Sequence, residues 1–291
     1  MILFAHEGIT SGQRSVTVFF MNILITGAAS GIGRGLALKL ARPGVSLHLC
    51  DRVEDDLMKT AALCTEKGAR TFPAVLDIRD RQGMADWVSG AAGERLDMAF
   101  LCAGITGGLP PASDDGWVME REERVREMID INLTGTLNTF FPVVTAMRQQ
   151  ERRHDHSGAN LRGRICVMAS VAGFVCYPGT PSYSASKTAL DRFIVANASC
   201  LERSGISLTS VCCGFVDTPM VRQNRFPMPG LVSTEEAVRQ ILRGTLRRTR
   251  RVIFPAWLVM GSRLMDLLPP RLAERYYGTQ PSAQPAGMPD F

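Results

Sequence analysis

The stretch "NILITGAASGIGRGLALKL", residues 22 to 40, constrains the fold more than any other part of the chain. A short apolar run closed by glycine reads as a buried strand. From Gly31 to Ala41 the apolar residues Ile32, Leu36 and Leu40 recur at helical spacing. Strand, glycine-rich turn and helix in direct succession make the first half of a βαβ unit, and the pattern then repeats. "VSLHLC" (45 to 50) reads as a second strand, with a polar helix over 54 to 67. "ARTFPAVLD" gives a third strand, "RDRQGMADWVSGAAG" a helix, and "LDMAFLCAG" a fourth strand. One long helix is expected over 117 to 150, with Trp117, Val125, Met128, Ile129, Leu133 and Leu137 along one side. "GRICVMAS" is the fifth strand, 184 to 203 a helix, "ISLTSVCCG" the sixth strand, 234 to 247 a helix, and "RVIFP" a short final strand. This alternation predicts right-handed βαβ units and a parallel sheet covered on both faces.

No linker-like shift in composition interrupts the alternation, so the 291 residues are read as one α/β domain over 21 to 255 with two appendages. Residues 1 to 20 lack the basic start, long apolar centre and cleavage site of a signal peptide. They are expected to be a disordered extension, with "VTVFF" as a lengthened first strand the other reading. Residues 256 to 291 form an amphipathic tail, "PAWLVMGSRLMDLLPPRLAERYYG", with a Pro-rich disordered end. "RRHDHSGANLRG" (152 to 163) reads as an exposed insertion.

The net charge of +5 comes from arginines scattered through the predicted helices, apart from "RRTRR" at 247 to 251. Nucleic-acid binding would call for a basic stripe interleaved with aromatics, so no nucleic-acid partner is expected. None of the eight cysteines forms a CxxC pair, and several lie in apolar runs, as buried thiols do in a reducing compartment. The four histidines have no ligand-like partners, so no metal site is expected. No apolar run reaches the roughly 18 residues of a membrane span. A cytoplasmic location is expected.

In the first unit, Gly27 permits the tight turn, Gly31 lets the backbone approach a pyrophosphate, and Gly33 lets the helix pack closely on the strand. The helix start then offers free N–H groups to phosphates. By itself such a string makes only a turn; between strand and helix it points to a dinucleotide. Asp51 ends the second strand 18 residues after Gly33, where a carboxylate can accept both ribose hydroxyls and repel a 2′-phosphate. It could equally start a turn or cap the next helix, and Arg52 beside it would partly welcome a phosphate. NAD is the expected cofactor, with NADP the alternative. Asp77 ends the third strand and either reaches the adenine edge or caps the following helix.

"PSYSASKTAL" (181 to 190) places Tyr183 and Lys187 four residues apart, on one helix face, in a chain with only four lysines and four tyrosines. A phenol is ordinarily too weak an acid to trade protons near neutrality, at a pKa of about 10. A neighbouring ammonium favours the phenolate, so Lys187, together with an oxidised nicotinamide ring, is expected to draw the Tyr183 pKa down towards the working range.

With "TGAASGIG" and "YSASK" both present, the chain resembles the short-chain dehydrogenase/reductase family of the classical type over about residues 21 to 255. The resemblance implies a doubly wound, Rossmann-type parallel sheet of about seven strands. It also implies NAD(P)-dependent alcohol/ketone chemistry and a homodimer or homotetramer. Tyr183 and Lys187 match the catalytic pair, Ser170 in "VMASVAG" the catalytic serine, and Asn132 in "DINLTG" the asparagine that completes the tetrad. Thr218 in "GFVDTPM" matches a threonine that contacts the nicotinamide carboxamide. Ser30 and Ile32 in the turn, and Ala103 and Gly104 after the fourth strand, complete the expected cofactor contacts. Two motifs depart from the family pattern: a double asparagine is here Leu101-Cys102, and a Pro-Gly is here Cys213-Gly214. These losses put strand stability and loop shape in question, not the reacting groups.

The roles follow from the chemistry. Tyr183 takes or gives the hydroxyl proton as hydride moves. Ser170 hydrogen-bonds the same oxygen, Lys187 also holds the nicotinamide ribose, and Asn132 positions a water that relays protons outward. Residues 215 to 232 are expected to form a flap, with Met220, Phe226 and Met228 suggesting a partly apolar substrate, and Arg222 and Arg225 facing either an acidic group or water. The rival reading is a non-catalytic nucleotide sensor or interaction protein. A sensor needs only the cofactor half, so the intact tetrad favours the enzyme.

Overall fold

The computed structural model describes residues 7, 8, 15, 16, 21–93, 95–107, 119–155, 158–175, 179–222, 227–266, 271, 272 and 275. Seven strands form one parallel sheet: β1 (Met21–Thr26), β2 (Val45–Asp51), β3 (Arg70–Val75), β4 (Met98–Leu101), β5 (Gly163–Met168), β6 (Ile206–Cys213) and β7 (Arg251–Phe254). Their order is β3-β2-β1-β4-β5-β6-β7. The order reverses between β1 and β4, and in open α/β sheets ligands bind in the crevice at such a reversal. Register sets the depth of that crevice. Thr26 pairs with Leu101 and Leu101 with Val167, so Gly27, Cys102 and Met168 all emerge along one edge.

Helices cover both faces: α1 (Gly31–Leu40), α2 (Glu54–Glu66) and α8 (Thr234–Leu246) on one; α3 (Arg81–Ala91), α5 (Thr136–Gln149) and α6 (Pro181–Arg203) on the other; a single turn, α7 (Pro219–Arg222), follows β6. Because side chains alternate along a strand, β1 feeds both cores. Ile23 and Ile25 pack with Leu36, Leu57 and Ile241, while Leu24 packs with Val88, Phe140 and Leu190. All three β1 residues are fully buried, each contributing roughly 1.5–3 kcal/mol relative to exposure. A strand buried on both faces reads as a continuous apolar run, which is why "NILIT" was so legible.

The expected single helix over 117 to 150 differs from the structure. Helix α4 (Glu122–Ile129) begins only after Arg121, whose backbone is extended, and a π-helical segment, Asp130–Gly135, separates it from α5. The wider turn breaks the 3.6-residue period. Leu133 and Leu137 therefore pack with the α3/α5/α6 core, whereas buried Met128 lies against the Asn132 amide. Trp117 lies outside the described residues. The 152 to 163 insertion is a short hairpin, Arg153–His154 against Asn160–Leu161, with Arg153, His154 and Asn160 exposed. Its base is pinned by the Arg95 guanidinium, which donates to the Leu161 and Arg162 carbonyls.

Within residues 1 to 20, Glu7–Gly8 pairs antiparallel with Ser15–Val16; the rest of the expected extension is outside the described residues. After β7, helix α9 (Ala256–Asp266) lays Leu258 and Val259 against Val171, Phe174 and Cys212. The Pro-rich end, 276 to 291, is outside the described residues. Among the described residues no helix is long and apolar enough to cross a membrane, no cluster of His, Cys, Asp and Glu is arranged to hold a metal, and the seven cysteines are free.

Candidate active site

The glycine-rich turn is shaped by contacts that exclude any side chain. Gly27 has φ +69°, and a Cβ there would meet the Ala103 backbone nitrogen at 2.8 Å. A Cβ on Gly33 would come within 2.1 Å of the Gly27 carbonyl oxygen. Asp51 is turned into this loop: one carboxylate oxygen accepts from the Ala29 N–H at 2.9 Å and the other from the Val53 N–H at 3.1 Å. Asp51 thus makes the turn the sequence allowed, and the residue also lines the cavity described next.

All the cofactor residues named from sequence line one cavity of about 320 Å³, together with Ser170. They are Gly27, Ser30, Gly31, Ile32, Gly33, Asp51, Arg52, Asp77, Ala103, Gly104, Tyr183, Lys187 and Thr218. The volume is in the range of small-molecule sites. Asp77 does not cap the helix after β3; Asp80 does, accepting from the Gly83 N–H at 3.0 Å. Asp77 instead pairs with Arg79 at 2.6 Å, which holds its carboxyl below the usual range.

On the opposite wall, α6 carries Tyr183 and Lys187. Thr180 at its start makes no side-chain cap. That function falls to Glu120, a buried residue from a distant loop, whose carboxylate accepts from the Ser182 N–H at 2.8 Å. The Lys187 ammonium lies 5.8 Å from the Tyr183 ring centre and donates to the Met168 carbonyl at 2.9 Å. Ser170, two residues past β5, accepts from the Ala172 N–H at 3.1 Å.

Asn132 lies behind this wall, fully buried in the π-helical segment. Its amide accepts from the Ile105 N–H at 2.8 Å and donates to the Ile105 carbonyl at 3.0 Å and to the Ser186 hydroxyl at 3.2 Å. These bonds tie the loop after β4 to α6 and commit the side-chain amide to holding that loop. A Cβ on Gly104 would stand 2.9 Å from the Asn132 Oδ1 and 3.4 Å from the Lys187 Nζ, which is why the chain passes here as glycine.

In the protein by itself the Tyr183 phenol is pushed up to about 12, so Lys187 alone does not draw it down. Burial penalises the phenolate first, the Cys213 thiol adds to it, and a hydrogen bond with Ser170 works the other way. The same burial moves Lys187 the other way. Burial pulls it down to about 8, against the opposing influence of Cys213, Cys102 and Cys212.

The two departures from the family pattern are compensated. The Thr26 hydroxyl accepts from the Cys102 and Ala103 N–H groups at 3.1 and 3.2 Å, steadying the end of β4. The Gly214 N–H donates to the Phe254 carbonyl at 2.8 Å, fixing the turn after β6. Sequence reasoning missed Thr26, Glu120 and Ser186. Thr26, next to Gly27, was open to inference; the partners of the other two are distant in the chain. In the segment expected to form a flap, Met220 lines the cavity, whereas exposed Arg222 pairs with Asp217 at 2.7 Å. Phe226 and Arg225 lie outside the described residues.

These features recur in known proteins. A family model described as short chain dehydrogenase matches residues 21–228. An uncharacterized oxidoreductase of Myxococcus xanthus is 32% identical over 252 residues, covering 86% of this chain and 93% of its own. Human estradiol 17-beta-dehydrogenase 11 is 26% identical over 86% of this chain and 79% of its own. A short chain dehydrogenase from Mycobacterium paratuberculosis, solved bound to NAD, superposes with a TM-score of 0.65 at 25% identity, over 81% of this chain and 95% of that one. With the family model matched over residues 21–228 and a relative 32% identical over most of both chains, the chain belongs to the short-chain dehydrogenase family.

Proposed function

We propose that this protein is an NAD-dependent dehydrogenase/reductase that interconverts a secondary alcohol and a ketone, with Tyr183 as the general acid/base. The observation that carries this reading is the juxtaposition of Ser170, Tyr183 and Lys187 with the start of α1 in one cavity. The residues fit a dinucleotide. Helix α1 begins with neither a side-chain cap on Ser30 nor an acidic residue in its first turn, so its N–H groups face the cavity unopposed. Gly31 to Gly33 would hold the pyrophosphate, Asp51 the adenosine ribose, Lys187 the nicotinamide ribose and Thr218 the carboxamide.

When bound, the nicotinamide ring gives or takes the hydride and carries positive charge in its oxidised form. Ser170 and Tyr183 would both hydrogen-bond the substrate oxygen, which fixes the reacting carbon. In oxidation the phenol oxygen takes the hydroxyl proton; in reduction it donates that proton to the forming alkoxide. A phenol held protonated at rest is already poised as the acid for reduction. A panel of alcohols with NAD and ketones with NADH, read by absorbance of the reduced cofactor, tests this reading. No turnover anywhere on the panel would count against it.

Asp51 is the proposed source of the preference for NAD over NADP. Asp51→Ala is expected to narrow that preference by roughly tenfold, because repulsion of a 2′-phosphate disappears while Arg52 remains. Titration of both cofactors into both proteins measures it. Tighter NADP binding by the unaltered protein would show that Arg52 dominates.

A homodimer or homotetramer is also proposed. Phe141 is 54% exposed on α5 and stacks edge-on with Phe140 and with Phe193 of α6, an aromatic patch without a cover among the described residues. Phe141→Asp should shift the mass measured by light scattering to a smaller species. An unchanged mass would place the interface elsewhere.

A further inference from the structure

Two thiols line the cavity, and the proposed mechanism uses neither. Cys102 and Cys213 are half-buried, in contrast to the fully buried Cys50, Cys64, Cys166 and Cys212. Cys213 ends β6, and its carbonyl is within 3.5 Å of the Ser170 hydroxyl. Its thiol is close enough to influence the charge of both Tyr183 and Lys187, whereas Cys102 bears on Lys187 and not on Tyr183. Cys213 therefore stands beside the pair proposed to hold a substrate oxygen, in the position where the family pattern has proline.

We propose that Cys213 is a covalent capture site for α,β-unsaturated ketones and aldehydes that enter the cavity carbonyl first. The idea rests on the carbonyl-holding role of Ser170 and Tyr183 given above. With the carbonyl oxygen on those two hydroxyls, the conjugated β-carbon is presented to the cavity wall. The thiol proton passes to a neutral Lys187 amine, and a C–S bond forms at the β-carbon. The C=C electron pair shifts to form an enolate, whose oxygen takes the Tyr183 proton. The enol then becomes the ketone, and Lys187 returns the proton to the phenolate. The product is a saturated thioether; no oxidant or reductant is consumed.

The surroundings make the site selective for bound electrophiles. Burial pushes the Cys213 thiol up to about 11, so it stays protonated and sluggish towards reagents in bulk solution. Burial draws Lys187 down to about 8, so its neutral amine, the minor form at neutral pH, grows as pH rises and is the proton acceptor. Holding the enone replaces a rare collision with an intramolecular attack. Exposed Cys200, which accepts a hydrogen bond from Arg203 at 3.2 Å on the outer part of α6, serves as an internal control.

The test incubates the full chain, without added cofactor, with cyclohexenone, and follows intact mass and the modified peptide. The expected result is a single addition on Cys213, absent in Cys213→Ser. It should form roughly tenfold or more slowly in Tyr183→Phe, which cannot polarise the carbonyl. Saturated cyclohexanone should slow it by competition, and iodoacetamide should label Cys200 first. Addition on Cys200 or Cys102 instead of Cys213 overturns the assignment. So does an equal rate in Tyr183→Phe, a comparison that holds even where Cys213→Ser folds poorly. The readout does not depend on turnover, so directed capture with a silent substrate panel would support this site and count only against hydride transfer.

Discussion

Tyr183→Phe is expected to lower turnover by about 10²-fold to 10⁴-fold while leaving dinucleotide affinity nearly unchanged. The substitution removes one oxygen and keeps the ring, the α6 backbone and Lys187 in place. The contacts proposed for pyrophosphate and ribose, at Gly31, Asp51 and Lys187, lie elsewhere on the cavity wall. Binding measured by quenching of intrinsic fluorescence should therefore superpose on that of the parent, while the rate on any panel substrate collapses. Full turnover by the variant would remove Tyr183 from the chemistry.

Lys187→Met separates the two roles. It should weaken cofactor binding and turnover together, because the ammonium is proposed to serve the ribose and the phenol. Its effect on stability has the opposite sign. An unfolded lysine keeps its proton to about pH 10.4, whereas buried Lys187 titrates at about 8. Between those values the unfolded chain binds more protons, so stability rises with pH across that window, and at neutral pH the full cost of burying the charge is present. Methionine has no charge to desolvate. The melting temperature of Lys187→Met at pH 7 should be no lower than that of the parent, and a marked fall would show that the bond to the Met168 carbonyl outweighs desolvation.

What the sequence made legible was local. Tyr183 and Lys187 share a face because they are four residues apart on one helix, and no tertiary information is needed to see it. The turn from Gly27 to Gly33 is equally self-contained. What was hidden depends on chain segments meeting across long separations, or on environment. Glu120 caps α6 through Ser182, 62 residues away, and nothing near either residue signals the pairing. The π-helical segment holding Asn132 has no compositional mark, so "DINLTG" was read as ordinary helix and the amide's commitment to Ile105 went unseen. The rise of the Tyr183 phenol in the protein by itself was hidden for a related reason. Spacing shows that a cation is near, but the cost of burying a phenolate appears only once Cys213 and the sheet edge close around it.

Gly33→Ala is expected to be the most damaging single-methyl change in the chain. The added Cβ would stand 2.1 Å from the Gly27 carbonyl oxygen and 2.7 Å from its carbon, backbone atoms that no rotamer change can move aside. Relief requires α1 to lift from β1, which separates Leu36 from Ile23 and Ile25 and pulls the helix start away from the cavity. Overpacking of this kind costs about 1–3 kcal/mol or more, and each kcal/mol shifts the midpoint by roughly 2–4 °C in a domain of this size. A loss of about 6–12 °C is expected at the upper figure, together with loss of measurable NAD binding, because the N–H groups proposed to face the pyrophosphate are displaced. Gly90→Ala is the matching control. It lies in α3 with nothing within 4 Å of the new methyl, so alanine should gain about 0.5 kcal/mol from reduced freedom of the unfolded chain. A Gly33→Ala protein that melted with the parent and bound NAD equally well would show that α1 does not depend on this close approach, and that the turn is not the cofactor's seat.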